Sequence, residues 1–494
     1  METRRKRSAA RSLANQTIFL TYPDGRLYWS PVFSKNTYMN YKEFLKQKQH
    51  LIGNFGFEPN WFPDIAFPFQ KHIIEKAVHK GRMAIFADTG LGKTLMQLAI
   101  AENVVRHTNK RVLILTPLAV AFQFIEEAEK IGVRDIEHSK DGKFTSKIVV
   151  SNYERLHYYD PNDFIACVLD ESSILKNFKG TRKDVITKFM KKIKFRFLST
   201  ATPSPNDFVE LGTSSEALGY MGYMDMLSKF FKNNQGTSDS SAKRVGEKYY
   251  LKPHAENDFF AWVNQWSMMV KMPSDIGFSD DGYILPELQV RDHIVKNQSL
   301  IDVNGQVQMF TPIAKTRTEV LHEQRQTITE RCEKAAELAA GKTSVYWCNL
   351  NDEGDLLDEI DKDAVQITGK MSIDKKEEML MAFSHGEIDR LITKAKMTSF
   401  GLNWQHCNHT VYFPTFSYEQ YYQAIRRFWR FGQENEVQVD RVLSDGQKRV
   451  IRAIDEKTAK ARELYEKLTE NVNKSYEDTQ RSFSNDIQIP NFLK

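Results

Sequence analysis

Five short apolar runs, at 83–87, 112–115, 147–150, 165–169 and 195–199, each give way to a small or polar loop and then a helical stretch. The series stops near Pro205 and resumes with runs at 344–348, 364–367, 390–393, 410–413 and 437–439. A strand buried on both faces reads as an unbroken apolar run, and strands alternating with helices pair in parallel. The pattern therefore predicts an α/β chain with two parallel-sheet lobes in tandem, each covered by helices on both faces.

At 494 residues the chain exceeds what one hydrophobic core normally organises, which agrees with two lobes. The expected division is a leading accessory segment over 1–55, a first lobe over 56–205 and a second over 323–455. Between the lobes, 206–322 is rich in Met, Phe, Tyr and Gly, with a polar stretch beginning at Asn233, and predicts a helical insertion and linker. Residues 456–494 predict a charged helix and a polar tail. The basic start, Met1-Glu-Thr-Arg-Arg-Lys-Arg-Ser, is followed by no apolar segment and is expected not to act as a secretory signal. No apolar run is long enough to span a bilayer. The four cysteines form no CxxC pair, which argues against a disulfide framework or a zinc site and fits a reducing cytoplasm. A net charge of +5 permits a nucleic-acid partner without implying one.

The segment Ala87-Asp88-Thr89-Gly90-Leu91-Gly92-Lys93-Thr94 follows an expected strand and opens an expected helix. Gly90 and Gly92 allow the backbone to curl so that successive N–H groups face an anion, and the helix N-terminus adds partial positive charge. Lys93 would reach the β- and γ-phosphates of a nucleotide, and the Thr94 hydroxyl would ligate Mg2+. Further on, Asp170-Glu171 ends the apolar run 164–169. A carboxylate pair at the carboxyl end of a parallel strand lies where open α/β sheets bind ligands. There Asp170 would hold the Mg2+ shell and Glu171 would orient and deprotonate the attacking water. A strand-end Asp-Glu is ordinary alone; behind a phosphate loop it acquires this meaning. Gln70 carries a carboxamide able to read both a donor and an acceptor on an adenine edge, although a surface glutamine is nearly as good a reading.

Gln70, the 87–94 loop, Asp170-Glu171 and Ser199-Thr-Ala-Thr-Pro203 occur in the order and spacing of helicase superfamily 2. Gln423-Ala-Ile-Arg-Arg-Phe-Trp-Arg-Phe-Gly-Gln433 resembles the arginine-bearing motif of its Swi/Snf-like branch, a group of double-stranded-DNA translocases. Ser399-Phe-Gly-Leu-Asn403 is similar to that branch's preceding motif, and Phe208-Val-Glu-Leu to its entry into a helical insertion. The likeness runs from about 65 to 435, and the whole chain is similar to compact helicase-like proteins of bacteria and their phages. It departs in two places. Arg426 stands where the branch usually has an acidic residue, and Ser199-Thr-Ala-Thr is closer to the general superfamily spelling.

The resemblance implies two RecA-like lobes, ATP as substrate, Mg2+, and DNA, duplex preferred, as partner. It implies Arg427 and Arg430 as arginine fingers, which three-residue spacing would place on one helix face. Gln423 and Gly401 would contact the nucleotide or a neighbouring motif. Four segments would touch the phosphates of one strand: Thr116-Pro117, Ser151-Asn152, Thr368-Gly369 and the loop from Lys394 to Asn403. Each alone is equally well an ordinary strand-end loop. The expected activity is nucleic-acid-stimulated ATP hydrolysis driving travel along DNA, in the cytoplasm of a bacterial or phage-infected cell. The alternatives are a strand-separating helicase on RNA or DNA and a catalytically silent binding scaffold. The scaffold has no use for Lys93, Asp170, Glu171, Arg427 and Arg430 together.

Overall fold

In the computed structural model the chain divides into two compact units, Met1–Leu51 and Ile52–Lys494. The described residues are 20–21, 27–28, 55–117, 120–176, 180–204, 207–233, 249–296, 317–395, 403–459, 462–463 and 466–467. In the first unit they form one antiparallel pair, Leu20–Thr21 with Leu27–Tyr28. Most of the expected leading segment and of the terminal tail lies outside them.

The second unit holds two parallel sheets. The first contains seven strands among the described residues: β1 (Arg82–Ala87), β2 (Arg111–Thr116), β3 (Ile136–His138), β4 (Ile148–Asn152), β5 (Phe164–Asp170), β6 (Phe195–Ser199) and β7 (Ser267–Val270), in the order β7-β1-β6-β5-β2-β4-β3. The second contains six: β8 (Leu288–Val295), β9 (Ser344–Trp347), β10 (Ala364–Gln366), β11 (Arg390–Thr393), β12 (His409–Tyr412) and β13 (Val437–Ser444), in the order β8-β13-β12-β9-β11-β10. All pairings in both sheets are parallel.

The unbroken apolar runs have a simple cause. Along β1, Met83, Ile85 and Ala87 enter one core while Ala84 and Phe86 enter the other, so each sheet face is packed and neither can be polar. The second sheet repeats this, with Val345 and Trp347 on one face and Tyr346 on the other.

The span expected as a helical insertion and linker is only partly that. It does contain helices Leu211–Leu218, Tyr223–Phe230 and Glu256–Trp266, and an antiparallel pair Phe231–Asn233 with Tyr249–Leu251. Yet it also supplies an edge strand to each sheet. β7 pairs with β1, and β8 pairs with β13 along eight positions. Phe230, Phe259 and Trp266 are buried in the same core as Phe86 and Leu115, so the helical part is built onto the first lobe. The expected helix beyond 455 begins earlier, at 448, and is described to 459 and again at 462–463 and 466–467.

Candidate active site

The loop between β1 and the helix Lys93–Thr108 turns on two glycines in the left-handed region, Gly90 (φ 93) and Gly92 (φ 77). A Cβ at Gly92 would stand 2.3 Å from Gln70 Nε2, so the loop lies flat against Gln70. Gln70 is fixed at the start of helix Pro68–Lys80. Its Oε1 accepts from Phe67 N (2.9 Å) and its Nε2 donates to Leu91 O (3.0 Å). Lys93 Nζ donates to the carbonyls of Ala87 and Asp88, both at 3.1 Å, and the Asp88 amide donates to Val270 O at the end of β7. Burial pulls the Lys93 ammonium below its ordinary value, opposed by Glu171, Asp88 and Asp170.

Asp170 and Glu171 close β5, separated from the loop by β6 alone. Gln97, one turn into the loop's helix, donates from Nε2 to Asp170 Oδ1 (2.7 Å), and Tyr153 Oη donates to the Asp170 carbonyl (2.5 Å). Burial, reinforced by the neighbouring Glu171 charge, pushes the Asp170 carboxyl up to about 7. Such a buried carboxylate beside another suits a divalent cation, which would relieve both the desolvation and the repulsion. Glu171 sits at φ 49, a conformation that costs a non-glycine residue about 1 kcal/mol or more. Its carboxylate accepts from Thr200 Oγ1 (3.1 Å), which itself accepts from the Thr202 amide (3.0 Å). The Ser199-Thr-Ala-Thr segment thus aims the glutamate.

The second lobe faces these groups. Its helix Tyr418–Ile425 ends before the arginines, so Arg427 and Arg430 stand on turns and not on a shared helix face as three-residue spacing predicts. They reach the same place by another route. A cavity of about 380 Å3 is lined by Lys93, Thr94, Asp170 and Glu171 from one lobe and by Gln423, Arg427 and Arg430 from the other. That volume is ordinary for a small-molecule site. Arg430 Nε is buried with no hydrogen-bond partner among the described residues, and Arg427 lies over the Trp404 ring at 5.5 Å. Burial pulls both guanidinium groups down from their ordinary value, helped by the Arg430 charge at Arg427 and by the Arg426 charge at Arg430.

An aromatic group stands at the cavity's edge: Tyr283 stacks on Phe431 (4.7 Å between centroids, 28°), with Phe67 edge-on to both. Phe431 is also the reason Gly90 must lack a side chain, since a Cβ there would meet Phe431 N at 2.8 Å. Tyr283, Phe431 and Gln97 were not foreseen. Phe431 lies within the quoted 423–433 motif and Gln97 just past the phosphate loop, so both could have been suspected; Tyr283 lies in a linker without pattern.

The expected nucleic-acid contacts are less uniform. Thr116 Oγ1 donates to Pro117 O (2.9 Å) and Asn152 Nδ2 to the same carbonyl (3.1 Å). Ser151 is fully buried, donating to Ser139 O and accepting from Tyr159 Oη, both at 2.9 Å, so its side chain braces the loop and does not face solvent. Lys394 Nζ donates to Asn349 O (3.0 Å) and Asn351 Oδ1 (2.7 Å). Gly369 is exposed, its carbonyl accepting from Lys376 Nζ. Asn403 is exposed and lines the nucleotide-sized cavity. Gly401 and most of the 399–403 motif lie outside the described residues. No described helix is long and apolar enough to cross a membrane.

Residues 67–211 match the DEAD/DEAH box helicase family model and residues 313–432 the helicase conserved C-terminal domain. An uncharacterised ATP-dependent helicase of Bacillus subtilis, YqhH, is 22% identical over 431 residues, covering 77% of this chain and 76% of the relative. The SWI/SNF-related matrix-associated actin-dependent regulator of chromatin subfamily A-like protein 1 of Xenopus tropicalis is 28% identical over 162 residues, which are 31% of this chain and 17% of that one. Among solved structures, a Sulfolobus solfataricus SWI2/SNF2 ATPase core in complex with double-stranded DNA is similar at 15% identity and a TM-score of 0.36, over 78% of this chain and 90% of that one. With two RecA-like lobes closing on one cavity and both helicase domains matched, the chain is an ATP-dependent enzyme belonging to helicase superfamily 2.

Proposed function

We propose that this protein is an ATP-driven translocase on double-stranded DNA. The observation that carries the reading is one cavity with Lys93 on one wall and Arg430 on the other, so that neither lobe holds a triphosphate alone. In this reading the 88–92 amides and Lys93 bind the β- and γ-phosphates, Gln70 meets the adenine edge, and the base rests near Phe67, Tyr283 and Phe431. Thr94 and Asp170 would hold Mg2+, which neutralises phosphate charge. Glu171, aimed by Thr200, takes the proton of the attacking water. Arg427 and Arg430 meet the charge that develops on the transferred group.

Binding draws the lobes together and hydrolysis releases them, and alternating grip on one strand's phosphates converts the cycle into travel. Thr116-Pro117 and the backbone near Asn152 on the first lobe, and Thr368-Gly369 and Lys394 on the second, are the proposed contacts. Backbone amides and small polar groups suit sequence-independent grip, since phosphates carry no base identity. We assign the first lobe to 56–270 and the second to 288–455, with residues 207–266 as an insertion of the first. The bacterial relative supports a bacterial or phage-infected cytoplasm as the setting.

The test is ATP turnover with duplex DNA, single-stranded DNA and RNA at matched salt, since phosphate contacts make binding strongly salt-dependent, together with a strand-separation assay. Stimulation by duplex without unwinding is expected. Stimulation by a single strand with unwinding would instead make it a strand-separating helicase, and no turnover under any condition would leave a silent scaffold.

A further inference from the structure

Arg426 occupies the place where the Swi/Snf-like branch usually carries an acid, and the structure gives it a partner in the other lobe. Its Nη2 donates to Asp88 Oδ2, while Tyr422 Oη donates to Asp88 Oδ1, which also accepts from the Thr89 amide (2.7 Å). Asp88 is the first residue past β1 in the phosphate loop, and its own carbonyl accepts from Lys93. Both charged side chains are buried, 7% exposed for Arg426 and 6% for Asp88. The other end of the guanidinium is also engaged. Nη1 donates to Trp429 O (3.1 Å), the carbonyl immediately before Arg430, and the group lies over the Trp429 ring at 4.9 Å. A continuous set of bonds therefore runs from Lys93 through Asp88 and Arg426 to the turn that carries Arg430.

Three guanidinium groups crowd this turn, and like charges in a dry place repel strongly. Asp88, contributed by the opposite lobe, lies where it offsets them. Neither partner can keep this contact when the lobes separate, and a buried charge that loses its partner is strongly unfavourable. The pair is thus formed only in the closed arrangement, and it sets how the arginine turn meets the phosphate loop.

We propose that Asp88 and Arg426 form a cross-lobe ion pair that positions Arg430, and with it Arg427, over the phosphate site, with Tyr422 as its second donor. They are positioning residues: they act through the arginine turn and do not touch the transferred phosphoryl group. The proposal rests on the ATPase reading above.

The experiment is a charge-inversion cycle of Asp88→Arg, Arg426→Asp and the double variant. It reads duplex-stimulated kcat and KM for ATP, and the lobe-to-lobe distance from dyes placed on the two lobes, with a non-hydrolysable ATP analogue bound. Each single inversion is expected to lower kcat about 30-fold and to shift the distance outward, and the double to recover at least about 10-fold of the loss and to close again. Tyr422→Phe, which removes one neutral donor and no charge, is expected to cost about 3-fold in kcat with a normal melting curve. It keeps the test readable if an inverted variant does not fold. A double variant whose loss equals the product of the singles, or single inversions that leave the distance unchanged, would overturn the latch. An inactive wild type would instead overturn the ATPase reading, leaving the distance measurement to judge the latch by itself.

Discussion

The two walls of the cleft are built from sheets of the same kind but are prepared very differently. On the first wall nearly every group is already held. Gln70 is locked against the loop, Gln97 holds Asp170, Thr200 holds Glu171, and Lys93 rests on two carbonyls. On the second wall the arginines stand on turns past the end of a short helix, and Arg430 Nε has no partner among the described residues. A group hydrogen-bonded in advance loses little freedom when a ligand arrives, which favours binding. One that waits for its partner contributes mainly when that partner appears, which favours the transition state. Apart from the general base Glu171, the first lobe should therefore govern affinity and the second turnover.

The strongest challenge to this division comes from the first wall. Lys93→Ala is expected to lower nucleotide affinity and hydrolysis together, with kcat/KM for ATP falling on the order of 10³-fold or more. Glu171→Gln should keep ATP bound and lower kcat by roughly 10²–10⁴-fold, as loss of a general base does. Stopped-flow binding and steady-state turnover separate the two, and a Glu171→Gln variant with full turnover would remove that residue from the mechanism. Arg427→Ala and Arg430→Ala should each lower kcat by about 10³-fold while KM for ATP moves little. If nucleotide affinity collapsed as it does for Lys93→Ala, the division between walls would be wrong.

The seam itself is tested by Gly90→Ala. The new Cβ meets Phe431 N at 2.8 Å, and φ 93 is foreign to alanine, so lobe closure should suffer more than binding to the open lobe. A loss of about 10-fold in kcat is expected, and a stacked Tyr283–Phe431 pair reporting less change in aromatic fluorescence on adding nucleotide. The smallest effect is on stability. Folded Asp170 keeps its proton up to about 7, whereas the unfolded chain has released it near the ordinary aspartate value. In buffer free of divalent cations, the native state then binds more protons than the unfolded one across the interval between those values. Stability therefore falls as pH rises through it. Asp170→Asn should flatten that slope in thermal melts, by a shift of about a few degrees.

How much of this was legible in the sequence follows from the same contrast. Strands buried on both faces announce themselves as apolar runs, and the phosphate loop and carboxylate pair lie contiguous in sequence, so fold and first wall could be read. The edge strands could not. β8, Leu288-Gln-Val-Arg-Asp-His-Ile-Val, has Val290 and Ile294 exposed and a polar run, Arg291-Asp292-His293, through its middle, and β7, Ser-Met-Met-Val, lacks the β-branched signature. The second wall was legible in residue type but not in form. Three-residue spacing suggests a helix face, whereas the helix stops at Ile425 and turns present the arginines. The Asp88–Arg426 pair joins positions far apart in sequence, and neither residue signals the other. The buried state of Ser151 had no local sign either, because it depends on Tyr159 and Ser139 folding over it.

The placement of β7 has a further outcome for the way the molecule is made. The strand carrying the nucleotide loop gains its outer neighbour only after the chain has passed through residues 207–266 and come back. During synthesis, a first lobe halted at its last contiguous strand would present the bare backbone edge of β1 to any passing chain, an invitation to mispairing. Whatever the insertion carries is also anchored to the first lobe at both of its ends, so it must ride with that lobe through every stroke, as cargo bolted to one half of a hinge.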